Sequence, residues 1–150
     1  MKILITGATG FIGQALLPVL VKQGHSVLLL SRQVKPFDGR YASVQSLDEV
    51  ASDAGIDAVI NLAGASMAGK RWDSRYKQEL IDSRLSTTEA LIALFRRLER
   101  TPATLLSASA IGYYGHHGDE PLDEQWESVP GFAQSLCARW EAAAMQAEAL

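Results

Sequence analysis

The sequence predicts a doubly wound α/β domain, a parallel sheet with helices on both faces. Three observations carry that expectation. Apolar segments of strand length alternate with helical segments along the chain. The strand segments are continuous apolar runs, as strands covered on both faces require. The first strand also runs into a glycine-spaced turn that opens directly into a helix.

Each element has a reason in the residues. Lys2–Thr6 is apolar and β-branched, hence a strand. Residues 11–23 read as a helix ended by Gly24, with Pro18 removing one hydrogen bond and bending it. Residues 26–31 (Ser-Val-Leu-Leu-Leu-Ser) are a buried strand, and 32–41 a loop holding Pro36 and Gly39. A weak strand is expected near 42–45 and a short helix near 47–54. Asp57–Asn61 is the next strand. Residues 73–100 are helical, with a break expected near Ser83, because Ser86-Thr87-Thr88-Glu89 matches a capping box from which a helix restarts. Ala103–Ala108 is a further strand, followed by a loop to about residue 130. Residues 131–150 form a helix with Leu136, Trp140 and Ala143/Ala144 at helical spacing.

Composition narrows the function classes. The chain has 150 residues, 47% apolar and 21% charged, which excludes disordered, collagen-like and coiled-coil chains. A formal charge of −3 gives no general attraction to nucleic acid or anionic membrane. The charge is uneven, since residues 101–150 carry one arginine against seven acids. The single Cys137 cannot close an internal disulfide. No apolar run approaches the roughly 18 residues of a membrane span. The start reads as a strand, not a signal peptide. The expectation is a cytoplasmic protein without nucleic-acid or membrane partners. The last helix reaches Leu150 with no capping glycine and no basic last turn. Residues 1–150 therefore read as the N-terminal, dinucleotide-binding part of a longer chain, the alternative being a small domain with a frayed last helix.

The turn is Thr6-Gly7-Ala8-Thr9-Gly10-Phe11-Ile12-Gly13, spaced G-x-x-G-x-x-G. Glycines there let main-chain N–H groups approach a pyrophosphate, and the following helix turns its positive end toward the same charge. The last glycine lets helix and strand pack closely. Gly7, Thr9, Gly10, Phe11, Ile12 and Gly13 are accordingly the expected dinucleotide contacts, a turn that binds nothing being the alternative. An acid at the end of the second strand would hold the ribose 2′-hydroxyl of NAD, but Ser31-Arg32-Gln33 stands there. Arg32 can pair with a 2′-phosphate, so NADP is expected before NAD. Leu62, Ala63 and Gly64 follow the 57–61 strand and let main chain lie close to the adenosine side.

Chemistry would sit at the end of the 103–108 strand, where ligands of open α/β sheets bind. Ser109, Tyr113 and Tyr114 are the candidates there, with His116 or His117 as a neighbouring base. The alternative is that the tyrosines pack the loop and the histidines are solvated. Two adjacent histidines without a third ligand are not a metal signature, and no metal is expected. Arg71 and Trp72 can meet a substrate phosphate or carboxylate, or simply belong to a solvated helix face. The acids from Asp119 to Glu127 read as solvated, and Cys137 as a buried small hydrophobe.

Thr-Gly-x-x-Gly-Phe-Ile-Gly, Asn61-Leu62-Ala63-Gly64 and Ser107-Ala108-Ser109 together resemble the short-chain dehydrogenase/reductase superfamily, in the extended form that includes nucleotide-sugar epimerases. Arg71-Trp72, Ser83-Arg84, Gly112-Tyr113-Tyr114-Gly115 and Leu136-Cys137-Ala138-Arg139-Trp140-Glu141 resemble an atypical, epimerase-like subfamily, sometimes described as cell-division-inhibitor-like. The resemblance implies a Rossmann-type fold, cofactor contact at Ser107, and hydride transfer to a small carbonyl compound or nucleotide sugar, with Ser109 holding the substrate oxygen. It also implies a C-terminal substrate region beyond these residues, and a homodimer through helix 73–100 and the last helix.

Enzymes of the superfamily use a Tyr and a Lys four residues later. Here Tyr41, Tyr76, Tyr113 and Tyr114 are followed at that distance by Gln45, Leu80, His117 and Gly118, and no lysine stands beyond Lys77. Two readings stay open: an NADP(H)-dependent oxidoreductase or epimerase, and a non-catalytic NADP(H)-binding regulator.

Overall fold

The computed structural model describes residues 1–150. Five strands, β1 (Lys2–Thr6), β2 (Ser26–Leu30), β3 (Ala42–Val44), β4 (Ala58–Asn61) and β5 (Thr104–Ser107), form one parallel sheet in the order β3-β2-β1-β4-β5. Helices α1 (Phe11–Lys22), α2 (Ser74–Arg97) and α3 (Phe132–Met145) cover it. The strand order reverses at β1, so loops after β1 and β4 diverge and leave a crevice at the C-terminal ends of the strands. This is the Rossmann-type arrangement.

Strand alternation sorts the core into two layers. Ile3, Ile5, Leu29 and Ile60 face α1 and pack on Leu17. Leu4 and Val59 face the other way, onto Leu91, Ile92, Leu94 and Phe95 of α2. Helix α3 lies on the α2 side, where Leu136 meets Tyr76 and Leu80. Leu106 pairs in register with Ile60, beyond the reach of α1, and is 58% exposed.

Two expected elements come out differently. Helix α2 is continuous through Ser83 and Ser86. Ser86, expected to cap a restart, is exposed and caps nothing, while its neighbours bond backward: Ser83 Oγ donates to the Leu80 carbonyl, Thr87 Oγ1 to Ser83 and Thr88 Oγ1 to Arg84. Side chains bonded to the preceding turn fit a helix interior and leave the ladder unbroken. The expected helix at 47–54 is only a 3-10 turn, Leu47–Glu49, closed by a capping box between Ser46 and Glu49. Pro18 is accommodated on the exposed side of α1 without ending it.

The entry to β4 is pinned by charge. Asp57 accepts from the Lys2 main-chain N–H at 2.7 Å and from Arg100 at 2.8 Å. The hydrogen bond from Arg100, helped by the Lys2 amide, holds its carboxyl below the usual range. A depressed folded pKa gives stability that is present above the unfolded value and lost as pH falls through the folded one. In urea denaturation, the stability gap between wild type and Asp57→Asn is therefore expected to narrow as pH is lowered through the carboxylate range. A gap that stays constant would exclude this role.

Candidate functional site

The crevice is built first by glycine. Gly7 ends β1 at φ +68°, and a Cβ there would lie 2.5 Å from the Leu62 carbonyl oxygen. Only a residue without a side chain lets the β1 turn and the β4 loop lie this close. A Cβ on Gly13 would meet Ala8 main chain at 2.5 Å, so this glycine sets the contact of α1 with the turn.

Gly10 caps α1 without a side chain, and the first turn holds no acid. The N–H groups of Phe11, Ile12 and Gly13 find no acceptor within the chain, while Gly10 N–H donates to Gly7 and Gln14 N–H to Gly10. Three free donors at the positive end of a helix suit an oxyanion, so the residues present fit a dinucleotide pyrophosphate. Phe11 is 95% exposed and Ile12 61% exposed, apolar surface at the same mouth. Thr9 is exposed, its carbonyl accepting from the Gln14 amide.

On the β2 side, Ser31 Oγ accepts from the Gln33 N–H at 3.1 Å. Arg32 is exposed and enters no ion pair, its carbonyl held by Gln45. It is free to meet an anion.

A buried polar chain ties the strand ends together. Thr6 Oγ1 donates to Asn61 Oδ1 at 2.7 Å and accepts from Ala63 N–H at 3.1 Å. Asn61 Nδ2 donates to Thr88 Oγ1 at 2.9 Å and to Ser107 Oγ at 3.3 Å. Trp140 Nε1 donates to the same Thr88 hydroxyl at 3.1 Å. Thr6, Asn61 and Thr88 are each 0% exposed. One network thus fixes the ends of β1, β4 and β5 against α2 and α3, and no buried side-chain donor or acceptor is left unpaired. Ser107 belongs to this network through its hydroxyl.

Beyond β4, Arg84 lies under the loop. Its guanidinium donates to the Leu80 carbonyl at 3.1 Å and the Ala65 carbonyl at 3.2 Å, and stands 5.3 Å from the Trp140 ring centre. Partial burial lowers its pKa from the ordinary arginine value, since desolvation disfavours the charged form.

Beyond β5, Ser109 Oγ donates to Glu141 of α3. Cys137, one turn earlier, is 4% exposed, with Sγ 3.6 Å from the Ala110 carbonyl. Burial, then the Glu141 charge, pushes its thiol up and keeps it protonated, which disfavours a nucleophile. Tyr113 and Tyr114 pack edge to face at 5.4 Å. His117 Nε2 lies 2.9 Å from the Tyr114 carbonyl and its ring 5.5 Å from Trp126. No hydrogen bond joins either histidine to either phenol, so the expected Tyr–His pairing is not formed here. Trp72 packs on Phe132 and donates to Met67.

The sequence reading missed Asn61, Thr88, Arg84 and Glu141 as site-building residues. The signal for two of them was present: Arg84 and Thr88 interrupt the buried apolar stripe of Leu80, Leu91 and Phe95 on one face of α2.

The family model described as NAD dependent epimerase/dehydratase family matches residues 3–147. Epimerase family protein YfhF of Bacillus subtilis is 36% identical over 100% of this chain and 51% of its own length. The structure of human epimerase family protein SDR39U1 (isoform 2) with NADPH superposes with a TM-score of 0.81 at 32% identity, covering 96% of this chain and 48% of that one. A nucleoside-diphosphate sugar epimerase from Corynebacterium glutamicum gives 0.78 at 32% identity, over 99% of this chain and 31% of that one. The chain spans about half the length of the curated relatives it matches.

Proposed function

The chain belongs to the NAD dependent epimerase/dehydratase family, as an epimerase-like member of the short-chain dehydrogenase/reductase superfamily, and we propose that it forms the NADP(H)-binding part of an oxidoreductase or epimerase. The observation that carries this is the α1 terminus with its three free N–H donors, set at the reversal of strand order. The relative solved with NADPH supports the same cofactor class.

In this reading Gly7, Thr9, Gly10, Phe11, Ile12 and Gly13 hold the pyrophosphate. Ser31 and Arg32 hold the 2′-phosphate, and Leu62, Ala63 and Gly64 give the main chain its close approach. Ser107 anchors Asn61. When bound, the nicotinamide supplies a site for hydride exchange. Ser109, with its proton shared toward Glu141, orients the oxygen of a small carbonyl or sugar substrate, and Tyr113 or Tyr114 supplies a proton. Residues 1–150 provide the cofactor half, and a further region provides substrate specificity.

Titration with NADPH and NADH by calorimetry tests the reading, and binding of neither would sink it. Arg32→Ala is expected to weaken NADPH by roughly tenfold or more, the worth of a charge-assisted bond, and NADH far less. Equal weakening of both would remove Arg32 from 2′-phosphate recognition.

A second reading is favoured by one observation, the Ser109 hydroxyl already engaged by Glu141 without a Tyr-x-x-x-Lys pair beside it. It is a protein that binds NADP(H) and senses it without turnover. Tight binding with no cofactor consumption across carbonyl compounds and nucleotide sugars would decide for it.

A further inference from the structure

We propose that Arg84 is the anion-binding residue of the cleft beyond β4, where it receives a phosphate or carboxylate oxygen of the bound ligands. The inference rests on the crevice being the cofactor site.

Arg84 is a charge without a counter-charge. The ion pairs of the molecule are Lys70–Glu79 and Arg100–Asp57, and Arg84 enters neither. It is half-buried, yet its partners are two carbonyls, an indole face and a protonated thiol. Burying an uncompensated guanidinium is unfavourable unless something anionic meets it. Two of its five N–H groups are committed to carbonyls, so the planar fork keeps donors for an oxyanion.

The surroundings are shaped to present it. A Cβ on Gly64 would lie 2.9 Å from the guanidinium carbon and 3.1 Å from Nη2, so the β4 loop lies directly on the charge because residue 64 is glycine. The Trp140 ring backs the guanidinium, and Trp140 is fixed by Thr88. Cys137, whose thiol feels the Arg84 charge, touches the main chain at Ala110, next to Ser109. The charge therefore sits between the loop after β4 and the loop after β5, while the α1 terminus and Arg32 serve the opposite side of the crevice. The anion comes either from the cofactor pyrophosphate or from the substrate, and both offer the same chemistry.

Arg84→Gln and Arg84→Lys separate these outcomes, with thermal melts to confirm folding. NADPH affinity is measured over a range of ionic strength. The response of the NADPH complex to inorganic phosphate is then followed by nicotinamide fluorescence. An NADPH affinity lowered roughly tenfold to a hundredfold in Arg84→Gln, with a flattened salt dependence and Arg84→Lys intermediate, supports the proposal with the cofactor as source. Unchanged NADPH affinity with a lost phosphate response supports it with the substrate as source. Both responses retained overturn the inference and leave the cofactor reading intact, and so does a loss that is equal at every ionic strength, which marks a purely structural clamp. Wild type that fails to bind NADPH overturns both. Should Arg84→Gln not fold, Arg84→Lys keeps the charge and loses the fork. Weaker binding of either anion then supports the proposal, and wild-type binding of both overturns it.

Discussion

Gly7→Ala is expected to lower stability by about 3 kcal/mol or more and to abolish measurable dinucleotide binding. The left-handed backbone at φ +68° accounts for roughly 1–2 kcal/mol of this. The remainder is collision, because the new methyl would lie 2.5 Å from the Leu62 carbonyl oxygen and 2.8 Å from the Ala63 nitrogen. Neither atom can retreat, since Leu62 N–H bonds the Thr6 carbonyl and Ala63 N–H bonds Thr6 Oγ1. Gly24→Ala separates the two contributions. Gly24 has φ +82° with nothing within 4 Å of its would-be Cβ, so strain alone acts there. Urea denaturation of the two variants should place Gly24→Ala about 1–2 kcal/mol below wild type and Gly7→Ala clearly lower. Equal losses would mean that the β1 turn and the β4 loop yield to each other, and the close approach that shapes the crevice would not be a requirement.

The same turn shows what a sequence discloses. Strand β1, the glycine spacing and the start of α1 are contiguous, and each residue acts on its immediate neighbours. A one-dimensional reading therefore reaches them, along with the parallel sheet that the apolar runs imply. The capping pattern at Ser86 failed for a local reason as well. A hydroxyl in Ser-Thr-Thr-Glu can bond forward to a free N–H or backward to a carbonyl, and composition does not distinguish the two. Thr87 and Thr88 bond backward within an unbroken helix, and the exposed Ser86 bonds neither way. The rest of the site is long-range. Thr88 meets Asn61 across 27 residues and Trp140 across 52, and Ser109 meets Glu141 across 32. Such partners are chosen by the order of strands and the placement of α3, which no spacing rule contains. What the chain does show is an anomaly, arginine and threonine set in the buried stripe of α2. A polar group in such a stripe has to find a partner elsewhere in the fold.

Thr88→Val tests that network with the shape of the side chain preserved. The hydroxyl accepts from both Asn61 Nδ2 and Trp140 Nε1 while donating to the Arg84 carbonyl. Replacing it by a methyl leaves the indole N–H without a partner in a site where Trp140 is 4% exposed. Asn61 Nδ2 keeps only the longer bond to Ser107, while Oδ1 still accepts from Thr6. An orphaned buried donor costs about 1–3 kcal/mol, and the lost bond to Asn61 adds about 1 kcal/mol. The expected loss is about 3 kcal/mol, or a fall in Tm of roughly 6–12 °C for a domain of this size. Thr88→Ser keeps the hydroxyl and gives up one methyl, so it should lie within about 1 kcal/mol of wild type. The effect should also travel. Asn61 holds Thr6, and Thr6 Oγ1 holds the Ala63 amide. Amide hydrogen exchange at Ala63 is therefore expected to accelerate in Thr88→Val under native conditions, and to stay near wild type in Thr88→Ser. If the two variants proved equally stable and equally protected at Ala63, the strand ends would be held by apolar packing alone. The buried amide would then be tolerated in the core without organising it.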